Sequence, residues 1–216
     1  MLKRKSQAES FLSERLDIER ELTAAGQTCI CGADEAGRGP LAGPVVAAAV
    51  VFKDCNLLWA ARDSKALSAK ARADYYFEAS REFEYGIGIC TAEEIDSLNI
   101  LQASLLAMVR AIQALPQRPT IALVDGNRRP LIDIPCRAIV RGDARVAVIG
   151  AASILAKFTR DRIMDEYDAL YPGYDFARHF GYPTAEHRKR LKNLGPCPIH
   201  RRTFHGVREF FQDLSA

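Results

Sequence analysis

The stretch TCICGADEAGRGPLAGPVVAAAVVF, residues 28–52, decides how this chain is read. Its two apolar runs, 28–33 and 45–52, are short, bounded by turn residues and rich in small or β-branched side chains, so both are predicted strands. Between them, GRGPLAGP carries too much glycine and proline for either regular element. Asp34 and Glu35 close the first run. Neighbouring residues on a regular strand point to opposite faces, so the pair can serve one centre only where the strand breaks. Gly37, two positions on, is the expected break.

Two more carboxylates occupy comparable places. Asp125 follows the apolar run 120–124 and precedes Gly126; Asp143 follows Gly142, just beyond the run 136–140. Asp-Gly pairs also form ordinary turns. Four acids at the ends of three strands, where α/β sheets present ligands, predict a shared centre of negative charge. Such mutual repulsion makes sense around divalent cations, and an all-oxygen donor set favours Mg2+ or Mn2+ over zinc. Two such ions can clamp the attacking and leaving oxygens of a phosphodiester, a chemistry that needs no protein nucleophile. No serine or cysteine sits in a recognisable hydrolase elbow or triad. Gly37-Arg38-Gly39 would let a ligand approach the backbone closely, with amides and carbonyls free to meet a 2′-hydroxyl. The stretch lacks the Gly-Lys-Ser/Thr ending of a Walker loop.

Around this centre the pattern predicts an α/β fold with a mixed five-stranded sheet flanked by helices and a C-terminal helical region. Residues 1–25 read as an amphipathic helix ending at Gly26. Ser68 caps a helix to about Arg81, and residues 84–90 form the third strand of an opening meander. Thr91 with Glu94 fits a capping box, as does Asn99 with Gln102. Leu101, Leu105, Met108, Ile112 and Leu115 then make a core stripe at helical spacing. A small-residue stretch, 150–153, opens a helix running to about Leu170. The expected organisation is an N-terminal helical extension (1–27) and a catalytic domain (28–216) with a basic substrate-binding segment (about 175–216).

Composition is that of a soluble globular protein, with 48% hydrophobic and 26% charged residues. No apolar segment follows the basic start and no run is long enough to span a membrane, so a cytoplasmic monomer is expected. The six cysteines lack paired zinc-finger spacing and read as reduced core thiols. Cys197, His200 and His205 are a weak zinc candidate without a fourth ligand. Net charge is only +3, yet residues 178–208 hold eight Lys or Arg, one acid and all four histidines. That segment is either a solvated helix or a phosphate-facing surface.

In order along the chain, DEAGRGPLAGPVVAAAVV, DSKAL, EEIDSLNI, LVDGN, RGDARV, GAASILAKFTRDR and HFGYPTAEH resemble the motifs of bacterial ribonuclease HII. The resemblance covers about residues 28–206. It implies an RNase H-like fold and hydrolysis of RNA in RNA–DNA hybrids. It also implies incision 5′ to single ribonucleotides in duplex DNA, leaving 3′-hydroxyl and 5′-phosphate ends, in ribonucleotide excision repair. By motif, Asp34, Glu35, Asp125 and Asp143 match the family's catalytic, Mn2+- or Mg2+-binding acids, and Gly37, Arg38 and Gly39 its 2′-hydroxyl-reading turn. Tyr182 matches a stacking platform for the sugar, and Ser64 and Lys65 match phosphate contacts. Ala66 and Phe180 depart from the pattern, the first standing where a lysine or another polar residue is common and the second where lysine is usual. The alternatives are another RNase H-like nuclease, such as a DNA resolvase, and a non-catalytic nucleic-acid-binding module built on the basic segment.

Overall fold

A computed structural model of the chain describes residues 15–61 and 67–212. Five strands form one sheet: β1 (Ile30–Ala36), β2 (Val45–Val51), β3 (Tyr85–Cys90), β4 (Ile121–Asp125) and β5 (Cys136–Ile139), in the order β3-β2-β1-β4-β5. The expected meander is present, with β1–β2 and β2–β3 antiparallel, while β1–β4 and β4–β5 are parallel. The two parallel strands β1 and β4 thus end side by side, at Ala36 and Asp125.

The helices of the chain's first half are α1 (Asp17–Ala24), α2 (Asn56–Ala60), α3 (Ala69–Glu82), α4 (Ala92–Leu98) and α5 (Ile100–Gln113). Those of the second half are α6 (Gly142–Arg145), α7 (Ala147–Leu170), α8 (Phe176–His179), α9 (Ala185–Leu194) and α10 (Glu209–Gln212). Ser68 caps α3 by accepting the Ala71 N–H, and the Thr91–Glu94 capping box is complete. Asn99 caps α5 with its carbonyl, taking the N–H groups of Leu101 and Gln102.

Each face of the sheet buries one long helix. α7 covers the face carrying Ile30 and Leu123, and its first ten residues, 147–156, are all buried. α5 covers the face carrying Cys31, Ala33, Ala122 and Val124. The contact is closer than a leucine stripe allows. Ala103, Ala107 and Ala111 are buried against the sheet with Met108, Ile112 and Leu115 of the expected stripe, whereas Leu101 and Leu105 are only half-buried. A Cβ on Gly88 would stand 2.0 Å from the Ala107 carbonyl, so only glycine admits that approach.

α1 is fastened to the start of α7. Glu19 is fully buried and its Oε1 accepts the Val148 N–H at 3.0 Å, satisfying an amide of the first helical turn. Arg15 donates to the Ala61 carbonyl and, at 2.9 Å, to that of Asp143. The cysteines among these elements are free thiols, and burial pushes the Cys31 thiol up to about 12. No described helix is long and apolar enough to cross a membrane.

Candidate active site

Asp34, Glu35, Asp125 and Asp143 line a single cleft of about 250 Å³, together with Gly37, Arg38, Gly39, Ser153, Lys157 and Tyr182. The expected convergence is therefore present, by a different local route at two positions. β1 does not break after Asp34: pairing continues through Glu35↔Ala47 and Ala36↔Val46. By alternation Asp34 leaves the α7 face and Glu35 the α5 face, and both reach the cleft because β4 and its loop end beside them. Asp143 lies on no strand. The backbone turns through a left-handed Arg141 (φ 56°), and Asp143 sits in the first turn of α6, its Oδ1 accepting the Ala144 N–H at 2.9 Å. Asp125 Oδ1 accepts the Gly142 N–H at 2.6 Å, which ties the β4 end to that turn.

Asp34 is 5% exposed, and Glu35 accepts from Arg38 Nη1 at 3.2 Å. Burial, then the adjacent Glu35 and Asp125 charges, hold the Asp34 carboxyl well above the usual carboxylate range; a hydrogen bond from Ser153 works against this. Burial also raises Glu35, against the pull of Arg38. Among the described residues no three carboxylates yet form a metal-ligand set, so the expected meeting at one point is a shared cleft instead. The donors nevertheless fit a hard divalent cation. They are all carboxylate oxygens, they repel one another, and Glu35 Oε2 is buried without a hydrogen-bond partner.

The opposite wall is held by two buried arginines. Arg201 donates to the carbonyls of Gly37 (2.6 Å), Arg38 (3.0 Å), Gly43 (3.0 Å) and Pro44 (3.2 Å). Arg160 donates to Pro44 (3.0 Å), Ala42 (3.2 Å) and Phe180 (3.1 Å). Gly37, at φ +100°, must be glycine, because a Cβ there would lie 2.1 Å from Arg160 Nε. These contacts correct the expected freedom of the turn. The Gly37 and Arg38 carbonyls are already taken, while the Arg38 and Gly39 N–H groups donate to no backbone acceptor among the described residues. Tyr182, 39% exposed, stands over Gly39: its Cε1 is 3.8 Å from where a Gly39 Cβ would be.

The basic segment is also partly corrected. Arg201 faces inward, Arg190 pairs with Glu186 and Asp175, and His179, His187 and His200 are buried. Burial pushes His187 and His200 down to about 4, so neither ring is charged at neutral pH. His205 is exposed beside Glu209, and the zinc candidate does not assemble. Phe180 supports a cation instead of removing one, since Lys157 Nζ lies 4.9 Å from its ring centre. Ser64, Lys65 and Ala66 lie outside the described residues.

Sequence reasoning singled out neither Ser153 nor Lys157. Their i, i+4 spacing on the otherwise apolar start of α7 is the signal that could have found them. It also missed exposed Arg128, Arg129 and Arg137, which line an open groove along β5, beyond Asp125.

A profile of the family described as Ribonuclease HII matches residues 31–207. The chain belongs to the ribonuclease HII family. It is 50% identical to Ribonuclease HII of Syntrophotalea carbinolica over 196 residues, 90% of this chain and 94% of that one. The crystal structure of ribonuclease H2 from Pyrococcus horikoshii OT3 superposes with TM-score 0.73 at 27% identity, covering 87% of this chain and 99% of that one. Bst-RNase HIII in complex with Mn2+ shares the fold, with TM-score 0.63 at 15% identity over 86% of this chain and 70% of that one. As a member of the ribonuclease HII family, the chain is a ribonuclease H type endonuclease acting on RNA–DNA hybrids.

Proposed function

We propose that the enzyme incises 5′ to single ribonucleotides embedded in duplex DNA as well as within longer hybrids, leaving 3′-hydroxyl and 5′-phosphate ends, in the service of ribonucleotide repair. The observation that carries this reading is the joint lining of one cleft by the four acids, the GRG turn and Tyr182. Asp34, Glu35, Asp125 and Asp143 would hold Mn2+ or Mg2+. Bound, such ions supply a reactive water and neutralise charge on the leaving 3′ oxygen.

The chain's own residues do the rest. Arg201 and Arg160 fix the turn so that the Arg38 and Gly39 N–H groups present donors to a ribose 2′-hydroxyl, which deoxyribose lacks. Tyr182 offers a flat apolar face to the sugar beside that hydroxyl. Ser153 hydrogen-bonds and orients Asp34, and Lys157, partnered with Asp161 at 2.5 Å, supplies a cation for a phosphate at the cleft edge. Exposed Arg188, Lys189 and Lys192 on α9 and the open Arg128–Arg129–Arg137 groove are cations suited to the two backbones of a duplex. Ser64 and Lys65 remain phosphate contacts by motif.

The test is cleavage of a duplex carrying one ribonucleotide against the same duplex in all-DNA form, with Mn2+, with Mg2+ and with chelator. Incision of the first substrate alone, at its 5′ side and only with metal, supports the reading. Equal cutting of all-DNA duplex would favour a resolvase-like nuclease.

A further inference from the structure

Three histidine rings stand behind the tyrosine wall with no part in the chemistry above. His179, His187 and His200 are 7%, 0% and 1% exposed. The first two rings stack at 4.4 Å between centres, and the third lies 5.3 Å from His187.

Their hydrogen bonds run in one direction. A carbonyl oxygen only accepts, so His187 Nδ1, 2.9 Å from the Tyr182 oxygen, carries the hydrogen. His187 Nε2 is then an acceptor, and the hydrogen of its 3.1 Å contact belongs to His200 Nε2. That leaves His200 Nδ1 as an acceptor, and the Cys197 N–H donates to it at 3.0 Å. The Cys197 thiol, 3.1 Å away and kept protonated by burial, can donate to the same nitrogen. The Cys197 carbonyl, 3.3 Å from that nitrogen, is the contact this assignment leaves without a proton. Reversing the tautomers would set a bare His187 Nδ1 against the Tyr182 oxygen.

The segment so held resists its own geometry. Phe180 (φ 49°) and Gly181 (φ 78°) are consecutive left-handed residues, a costly arrangement for phenylalanine. His179 accepts the Gly181 N–H at 3.2 Å and donates to the Tyr174 carbonyl at 2.9 Å. Leu41 N–H donates to the Gly181 oxygen at 2.8 Å, joining this turn to the GRG loop. With Gly181 fastened on both sides and the Tyr182 N–H donating to the His179 oxygen at 2.9 Å, the Tyr182 oxygen accepts both the Thr184 N–H at 2.8 Å and the His187 ring, and of these two only the ring ties it to the buried ladder.

We infer that the Cys197–His200–His187 ladder is a positioning device for Tyr182, and that His187 sets the tyrosine ring over Gly39 and so governs how tightly the enzyme engages a lone ribonucleotide. The inference rests on the reading of Tyr182 as the sugar platform. A ladder that merely filled the core would not need to end on the residue bearing that ring.

The experiment compares wild type, Y182A, H187L, H187N and Y182A/H187L on the one-ribonucleotide duplex with Mn2+. Leucine removes both ring bonds, whereas the asparagine amide keeps a donor near the Nδ1 position and drops the link to His200. H187L should lower kcat/KM by about 10-fold, chiefly through KM, which is the scale of one hydrogen bond. H187N should recover most of that loss, and H187L should add nothing in the Y182A background. Losses that multiply in the double variant, or an H187N as damaged as H187L, would overturn the inference. A Y182A enzyme equal to wild type would remove the platform reading and this inference with it. Should H187L fail to fold, nitrogen-15 spectra of the wild-type rings decide: His187 as the Nδ1–H tautomer and His200 as the Nε2–H tautomer support the ladder, and the reverse pair refutes it.

Discussion

Along one wall of the cleft Asp34 and Glu35 are buried beside each other, raised by burial, with one Glu35 oxygen lacking any partner. Across from them Arg201 fastens the loop 37–44 through four carbonyls, two of them in the GRG turn, and the Phe180–Tyr182 turn is held through Arg160 and the histidines. The acidic wall is an unsettled electrostatic arrangement that a cation would complete. The arginine wall is nearly complete without a ligand: among the described residues its buried side-chain atom without a partner is Arg160 Nη1, and the Arg38 and Gly39 N–H groups are the backbone donors it leaves for a substrate. One wall is thus built to receive charge, and the other to stay in place while a sugar is inspected.

That contrast can be broken from the acidic side first. Asp125→Asn, which retains volume but removes a charge, should lower cleavage by ~10³-fold or more, equivalent to about 4 kcal/mol of barrier. Circular dichroism should remain that of the wild type. Near-normal cleavage by this variant would take Asp125 out of the reaction.

On the arginine side the expected damage is to folding. Arg201→Ala strands the carbonyls of Gly37, Arg38, Gly43 and Pro44, at a cost of about 3–5 kcal/mol in chemical denaturation. A loss under about 1 kcal/mol would mean that the turn holds itself.

Acid titration should expose the histidine ladder next. Both His187 and His200 are lowered from 6.5 to about 4, so below neutrality the unfolded chain takes up their protons first. Their contribution is complete above about pH 6.5 and declines as pH falls toward 4, by on the order of 3 kcal/mol for each ring. Denaturation curves across that range should flatten in His187→Asn; an unchanged slope would argue against the two neutral rings.

Tyr182→Ala is the smallest of these effects. Losing one stacking surface, about 1–3 kcal/mol, should slow single-ribonucleotide incision roughly 5- to 100-fold and leave the melting temperature within a degree or so. Equal activity would remove the tyrosine from the substrate path.

The acids were legible in the sequence because each interrupts an apolar run beside glycine, and the capping residues because their chemistry is local. The faces of the long helices were less so. Of the predicted stripe Met108, Ile112 and Leu115 are core, but paired glycines on β3 also draw the alanines of α5 against the sheet and leave Leu101 and Leu105 half-buried. Arg160 and Arg201 were illegible for a different reason. A charge count places arginine in solvent, and only the tertiary fold gathers enough unpaired carbonyls to draw a guanidinium inside. The same miscount made the histidines of residues 178–208 seem part of a cationic surface.

The most direct test of the unsettled acidic wall is thermal unfolding of wild type and Asp34→Asn near neutral pH, with and without Mn2+. The Asp34 carboxyl is raised in the fold, so its ionised form destabilises the native state as pH rises above the unfolded value of 3.8. Neutralising it should therefore raise the melting temperature of the metal-free protein, and Mn2+ should stabilise the wild type far more than the variant. A metal-free variant less stable than wild type, or equal stabilisation of both by Mn2+, would contradict the account.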